Sequence, residues 1–192
     1  MTNALIFLIK VATSVFCALL FIRAWLHYLR VPSFNTYSKF IFNMTDFIVK
    51  PTQKILPPGD KVDWASMILA LILCVLMAFI VTSLYLSGLD EHFRGQFSAM
   101  YIDPGHTILY GLSYCIQNFL SVILWVGVIY AILTWIKPEP PILPFIRTMM
   151  EPLLDPIRRN LPESLKSSPI DLSMFVLLVG VLLIQILIGQ FI

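Results

Sequence analysis

The residues most able to do chemistry lie in two amphipathic segments that contain prolines. In the second, at positions 142–161, charged side chains recur at helical spacing on one face, and Phe145, Ile146, Met149, Leu153 and Leu154 take the other. Charged groups on such a face can bind anionic headgroups or a charged partner, or they can neutralise one another. Both uses stay open. The candidate binding residues here, with one in the segment that follows, are Arg147, Glu151, Asp155, Arg158, Arg159 and Asp171.

The first amphipathic segment, at positions 37–56, has the same character. Its polar residues recur every three or four positions, opposite an apolar face that includes Phe40, Met44 and Phe47. A basic polar face and an aromatic apolar face predict a helix lying in the headgroup plane. The candidate binding residues of this region are Lys50, Lys54 and Asp63.

Prolines predict interruptions in both segments. Pro51 is expected to interrupt or kink the first helix, and Pro152 to end a short helix in the second segment. Asp155 followed by Pro156 is a good helix start, so a second short helix is expected there.

The two segments are copies of one unit. A shift of 105 positions pairs Phe40 with Phe145 and Pro51 with Pro156, and a three-residue insertion then pairs Asp63 with Asp171. Internal repetition of this kind decides the architecture. The predicted repeats are residues 1–90 and residues 91–192.

Four long apolar runs must position these segments. The chain is 58% hydrophobic and 12% charged, with a mean hydropathy of +0.85, which predicts a membrane protein. The predicted fold is all-α, with spanning helices at 4–29, 64–86, 107–135 and 172–192. Each copy then reads helix, interfacial segment, helix, and an even number of spans makes the copies parallel repeats.

Polar residues inside the runs allow two interpretations. Lys10 either points into the bundle or snorkels to the surface, and Arg23 either snorkels or belongs to an ion site. Gln117 and Asn118 either bond to a neighbouring helix or line a polar pathway. A small conduit for ions or a solute, lined by Lys10, Gln117 and Asn118, is therefore the alternative functional hypothesis.

Catalysis has little support in the sequence. The apolar runs contain no paired carboxylates, and His27, His92 and His106 do not share a metal-ligand spacing. Cys17, Cys74 and Cys115 are far apart and are interpreted as small apolar side chains. We expect no enzyme activity, no cofactor, no metal and no direct contact with nucleic acid.

Basic residues predict the orientation. Both amphipathic segments and their flanks are rich in Lys and Arg, whereas the loop between the copies holds only Arg94. The positive-inside rule then places both segments in the cytoplasm and both termini outside.

The second copy resembles a known family signature. Residues 151–159, EPLLDPIRR, followed by Leu161-Pro162 and residues 170–173, IDLS, resemble the signature of YggT (YlmG-like) membrane proteins. The first copy departs from it at residues 49–54, where the family prefers paired arginines.

The resemblance implies a multi-pass protein of the bacterial inner membrane. It also implies links to osmotic-stress tolerance and, for plastid relatives, to cytochrome b6f haem maturation and to nucleoid organisation or division. The functional hypothesis is a non-catalytic scaffold or assembly factor. Its expected partners are anionic lipid headgroups and a membrane protein or a second copy of itself.

Overall fold

The computed structural model describes residues 2–32, 35–87, 104–136, 139–160 and 172–190. Regular structure in these ranges is helical, and it comprises α1 (Thr2–Tyr28), α2 (Thr36–Gln53), α3 (Trp64–Ser87), α4 (Pro104–Trp135), α5 (Leu143–Asn160) and α6 (Leu172–Gln190). Four of these helices, α1, α3, α4 and α6, are long and apolar enough to cross a membrane. The predicted all-α class and the four predicted spans are confirmed. Asp171 and the proposed boundary between the repeats lie outside the described residues.

The chain leaves α1 through a turn that satisfies the last carbonyls of the helix. Arg30 has a positive φ of 53°, its N–H donates to the carbonyl of His27, and the N–H of Val31 donates to the carbonyl of Leu26. This pair of bonds is a Schellman ending, which usually uses glycine at the left-handed position. The turn directs the chain from α1 towards α2.

Capping side chains start the next two helices. The Asn35 side chain accepts a hydrogen bond from the N–H of Tyr37 at 3.0 Å, and α2 begins at the following residue, Thr36. The Asp63 carboxylate accepts from the N–H of Ser66 at 3.4 Å, just before α3 begins at Trp64. Both caps satisfy N–H groups that have no partner within the helix.

The expected interruption at Pro51 and the expected division of the second segment into two short helices are wrong, while a kink at these prolines stays a prediction. α5 is one continuous helix from Leu143 to Asn160 with Pro152 and Pro156 inside it, and α2 likewise contains Pro51. Each interior proline removes a backbone hydrogen bond and costs about 3 kcal/mol. The apolar side of α5 offsets this cost because it packs fully against the bundle, burying Leu143, Ile146, Met149, Met150 and Leu154.

The two copies pack on each other within one chain. α3 lies between α1 and α4, α4 also contacts α1, and α6 packs on α4. Gly111 permits a close approach of the α4 backbone to α3, since a Cβ there would lie 2.8 Å from the Cα of Val75. One apolar cluster fills the α1–α3–α4 junction and includes Leu20, Phe21, Ala70 and Val122.

Candidate functional site

The interfacial helices α2 and α5 lie at the same end of the bundle. α2 connects the end of α1 to the start of α3, and α5 connects the end of α4 to the start of α6. The rings of Tyr37 in α2 and Phe145 in α5 are 5.3 Å apart. The two segments identified in the sequence therefore touch at this end.

A buried arginine holds α2 to the bundle. The Nη1 atom of Arg23 donates to Asp46 Oδ1 at 2.7 Å and to Thr45 Oγ1 at 2.8 Å. Its Nε lies 3.5 Å from Asp63 Oδ2, and its guanidinium carbon lies 4.8 Å from the centre of the Phe42 ring. Arg23 was predicted to snorkel or to form part of an ion site. Instead it is 5% exposed and joins α1, α2 and the start of α3.

Asp63 does not lie where the sequence predicted. It was expected at the surface as a headgroup or partner ligand, but it is 2% exposed. Its carboxylate accepts hydrogen bonds from Ser66 Oγ at 2.7 Å and from Gln53 Nε2 at 3.2 Å. Buried carboxylates need such partners because an unpaired buried charge is costly. The structure makes Asp63 a cap of α3 and a counter-ion of Arg23.

Asp46 joins the buried arginine to the surface. Its second carboxylate oxygen lies 2.7 Å from Lys50 Nζ, and the Lys50 side chain is 69% exposed. Partial burial on its own raises the pKa of Asp46, but hydrogen bonds from Lys50 and Arg23 outweigh it, so this pKa lies below its ordinary value. The carboxylate therefore stays ionised, and Lys50 serves as its partner.

The outward side of α2 carries an apolar stripe beside polar side chains. Phe40, Met44 and Phe47 follow at positions i, i+4 and i+7 and are exposed, whereas the buried residues of this helix are Ser38, Thr45 and Val49. Phe47 also packs edge-on against Phe16 of α1, with ring centres 5.7 Å apart. The exposed polar side chains beside the stripe are those of Lys39, Asn43 and Lys50.

The outward side of α5 is polar. Glu151, Pro152, Asp155, Pro156 and Arg159 are exposed. A groove of about 400 Å³ runs along this side, lined by Pro152, Asp155, Pro156, Arg159 and Asn160.

Arg147 and Arg158 take different positions on α5. The Arg147 side chain is 42% exposed and lies 3.9 Å from Glu139. Arg158 is half-buried and interacts with another group of the protein. Lys54, the counterpart of Arg159 in the first copy, is exposed just after α2.

The intramembrane polar residues have separate surroundings. Lys10 Nζ lies 5.9 Å from the centre of the Tyr110 ring, and the Lys10 carbonyl accepts from the Tyr114 hydroxyl at 3.1 Å. Asn118 donates to the Tyr114 carbonyl of its own helix at 2.8 Å. The Gln117 carbonyl lies 3.4 Å from Gln185 Nε2. The contacts of Lys10 and Gln117 join α4 to neighbouring helices, whereas the Asn118 bond stays within α4.

Sequence reasoning missed Gln185, whose Nε2 donates to Ser121 Oγ at 2.9 Å and fastens α6 to α4. A lone glutamine in an apolar run was the available signal. It also missed Gln53, Thr45 and Ser66, the neutral partners of the buried ions. Of these, only Ser66 had a signal, because a serine three residues after Asp63 is a capping pattern.

The three cysteines, far apart in sequence and interpreted as small buried side chains, are all buried and come together. Cys17 Sγ and Cys74 Sγ are 3.5 Å apart, and Cys115 belongs to the same buried cluster. They lie among apolar side chains from α1, α3 and α4. Within the described residues, no three His, Cys, Asp or Glu side chains are placed to hold a metal ion.

Comparison with known proteins gives the family. The CCB3/YggT family model matches this chain twice, over residues 2–84 and 109–192. A protein from the proC 3′ region of Vibrio alginolyticus is 30% identical over 191 residues, covering 99% of this chain and 96% of its own length. The YggT protein of Escherichia coli (strain K12) is 27% identical over 161 residues, covering 83% of this chain and 77% of that protein.

A further relative is similar at lower identity. Protein PA0392 of Pseudomonas aeruginosa is 25% identical over 189 residues, covering 96% of this chain and 90% of that protein. No solved structure matches. The chain belongs to the CCB3/YggT family, and it contains the unit of that family twice.

Proposed function

We propose that this protein is a non-catalytic scaffold or assembly factor of the bacterial inner membrane. Its interfacial helices α2 and α5 contact anionic lipid headgroups and a protein partner. One observation carries the proposal: both helices lie at one end of the bundle and touch through Tyr37 and Phe145. Together they present an extended surface, as expected of a protein that acts by binding others.

The charges at this end support a binding role over a catalytic one. Arg23 lies 2.7 Å from Asp46 and 3.5 Å from Asp63, and Lys50 is a second cation beside Asp46. Their role is to position α2, because each carboxylate already has a cationic partner. The exposed ions on α5 are spread along a helix in contact with water, which suits recognition of a charged surface.

The orientation and setting also belong to the proposal. Lys50, Lys54, Arg147 and Arg159 lie at the end where α2 and α5 meet. Basic residues beside membrane spans favour the cytoplasmic side, so this end faces the cytoplasm and the N-terminus faces outward. The family resemblance adds a role in tolerance of osmotic stress.

The partner is tested by crosslinking from the exposed side of α5. A photoreactive amino acid is placed at Asp155, which lines the groove. Its matched control is Met149, which is 2% exposed and faces the bundle. The expected result is a discrete protein adduct from position 155 and only internal adducts from position 149.

Charge reversal then links binding to function. Arg159→Glu is expected to remove the adduct and to abolish rescue, at high osmolarity, of a strain that lacks the protein. The counterpart variant Lys54→Glu, on the other copy, is expected to keep the adduct. Full rescue by Arg159→Glu at normal protein levels would contradict the proposal. Solute flux in proteoliposomes that is lost in Gln117→Ala would instead support the conduit.

A further inference from the structure

The two copies are displaced relative to each other along the helix axes. Contacts between α1 and α4 advance together along both helices, so these helices run in the same direction; Phe21 contacts Phe119 and Ser14 contacts Tyr114, at separations of 98 and 100 positions. The last residues of the two helices, Tyr28 and Trp135, are 107 positions apart. The Lys10 carbonyl, which accepts from the Tyr114 hydroxyl, gives a separation of 104 positions. α4 therefore extends past the end of α1 by three to nine residues, which is about 5 to 14 Å at 1.5 Å per residue.

This displacement carries α5 with it. α5 packs on the projecting end of α4 in a cluster that includes Tyr130, Met150 and Leu154. α2 is held by Arg23, near the end of the shorter helix α1. The two interfacial helices are thus fixed at different heights above the bundle.

An exposed tryptophan gives the position of the bilayer surface. Trp135, the last residue of α4, is 73% exposed. Tryptophan at the end of a spanning helix typically lies at the level of the headgroups. Trp64, the first residue of α3 and close to α2, is 54% exposed and marks the same region. With both tryptophans in the headgroup region, α2 lies towards its acyl side and α5 towards its water side.

Equivalent positions on the two helices agree with these heights. Phe47 and Pro152 correspond under the 105-residue shift, and both are exposed. Met44 is 48% exposed, whereas its counterpart Met149 is 2% exposed. The first copy turns its large apolar residues outward, and the second turns them inward and exposes charges.

We infer that the outward stripe of α2, formed by Phe40, Met44 and Phe47, is inserted in the lipid bilayer, whereas the outward side of α5 stands in water. The stripe is continuous with the surface of α1 through the contact of Phe47 with Phe16. An apolar helix face that continues a membrane-spanning surface has lipid as its neighbour. This inference rests on the proposed function and divides it: α2 contacts lipid, and α5 is left for the protein partner.

The test is a depth measurement on the equivalent pair Phe47→Cys and Pro152→Cys. Each full-length variant carries a nitroxide label in vesicles of phosphatidylethanolamine and phosphatidylglycerol. Collisions with oxygen and with a water-soluble nickel complex are compared. The label at 47 is expected to favour oxygen and the label at 152 to favour nickel, with a depth difference of about 10 Å.

A second pair guards against local disturbance by either substitution. Met44→Cys and Asp155→Cys are expected to repeat the difference, and the labelled parent chain measures any reaction of the three native cysteines. Equal depths in both pairs, or nickel access at 44 and 47, would overturn the inference. The crosslinking and rescue experiments on α5 use neither label, so a failure of the inference is distinguishable from a failure of the proposed function.

Discussion

The helices α2 and α5 come from equivalent segments but dock on the bundle through side chains of different kinds. α2 docks through a buried arginine, two carboxylates and small side chains, and it turns Phe40 and Phe47 outward. α5 docks through large apolar side chains and turns Glu151 and Asp155 outward. Equivalent positions face the bundle in both copies, since Ser38, Thr45 and Val49 correspond to Leu143, Met150 and Leu154. Duplication of one unit has thus produced two helices that dock through the same face with side chains of different chemistry.

The position of Arg23 explains much of this difference. When the sequences of α1 and α4 are aligned at their last residues, Tyr130 takes the place of Arg23. Tyr130 is a buried member of the apolar cluster on which α5 packs. An arginine at this position calls for acceptors on the interfacial helix, which Thr45 and Asp46 provide. A tyrosine there permits an apolar docking side instead, and the charges of α5 remain available to a partner.

The largest expected effect comes from breaking the ionic docking of α2. Arg23→Met leaves Asp63 buried without its cation, which should lower the free energy of unfolding by about 3 to 5 kcal/mol. Denaturant titration in detergent micelles measures this loss. The control is Lys50→Met, which removes an exposed partner of Asp46 and should cost at most about 1 kcal/mol. Equal losses in the two variants would show that burial of the ion pair is not what holds α2.

The apolar docking of α5 should respond to loss of volume. Leu154 and its counterpart Val49 are both fully buried. Leu154→Ala should cost about 2 to 5 kcal/mol through lost burial and a cavity. Val49→Ala removes fewer atoms and should cost less. The same titration compares them, and a larger loss at Val49 would contradict the assignment of apolar docking to the second copy.

The spans and the existence of both amphipathic helices were predictable from sequence, because apolar runs and helical periodicity are local properties. The chemistry of each docking side was not. Equivalent positions face the bundle in both helices, but the docking side of α2 is polar because it meets Arg23, whereas that of α5 is apolar because it meets Tyr130, and both of these residues belong to other helices. The continuity of α5 was missed for a similar reason, since packing of Met150 and Leu154 outweighs the local cost of Pro152.

Acid should weaken the ionic docking and leave its apolar counterpart unchanged. The folded-state pKa of Asp46 lies below its ordinary value of 3.8, so Asp46 contributes stability above pH 3.8. That contribution is lost as the pH falls below 3.8 through the folded-state pKa. The difference in unfolding free energy between the parent chain and Asp46→Asn should be constant from pH 7 to pH 5 and should shrink below pH 3.8. A difference that already shrinks near pH 6 would mean that another group controls the docking.

The smallest expected effect concerns the polar contact between α4 and α6. Gln185 corresponds to Met77 in the first copy, where the methionine packs against Ile6 and Val81. Gln185→Met therefore replaces a hydrogen bond to Ser121 with the side chain found in the other copy. Hydrogen bonds between membrane helices average about 0.6 kcal/mol, so the loss should be close to that value.

Unfolding in micelles measures this loss, with Ser121→Ala as the matched partner variant. If the double variant loses no more unfolding free energy than either single variant, the loss comes from the hydrogen bond between Gln185 and Ser121. A loss several times larger would mean that α6 depends on this glutamine for its packing, and that α4 and α6 are held together less by apolar contact than α1 and α3.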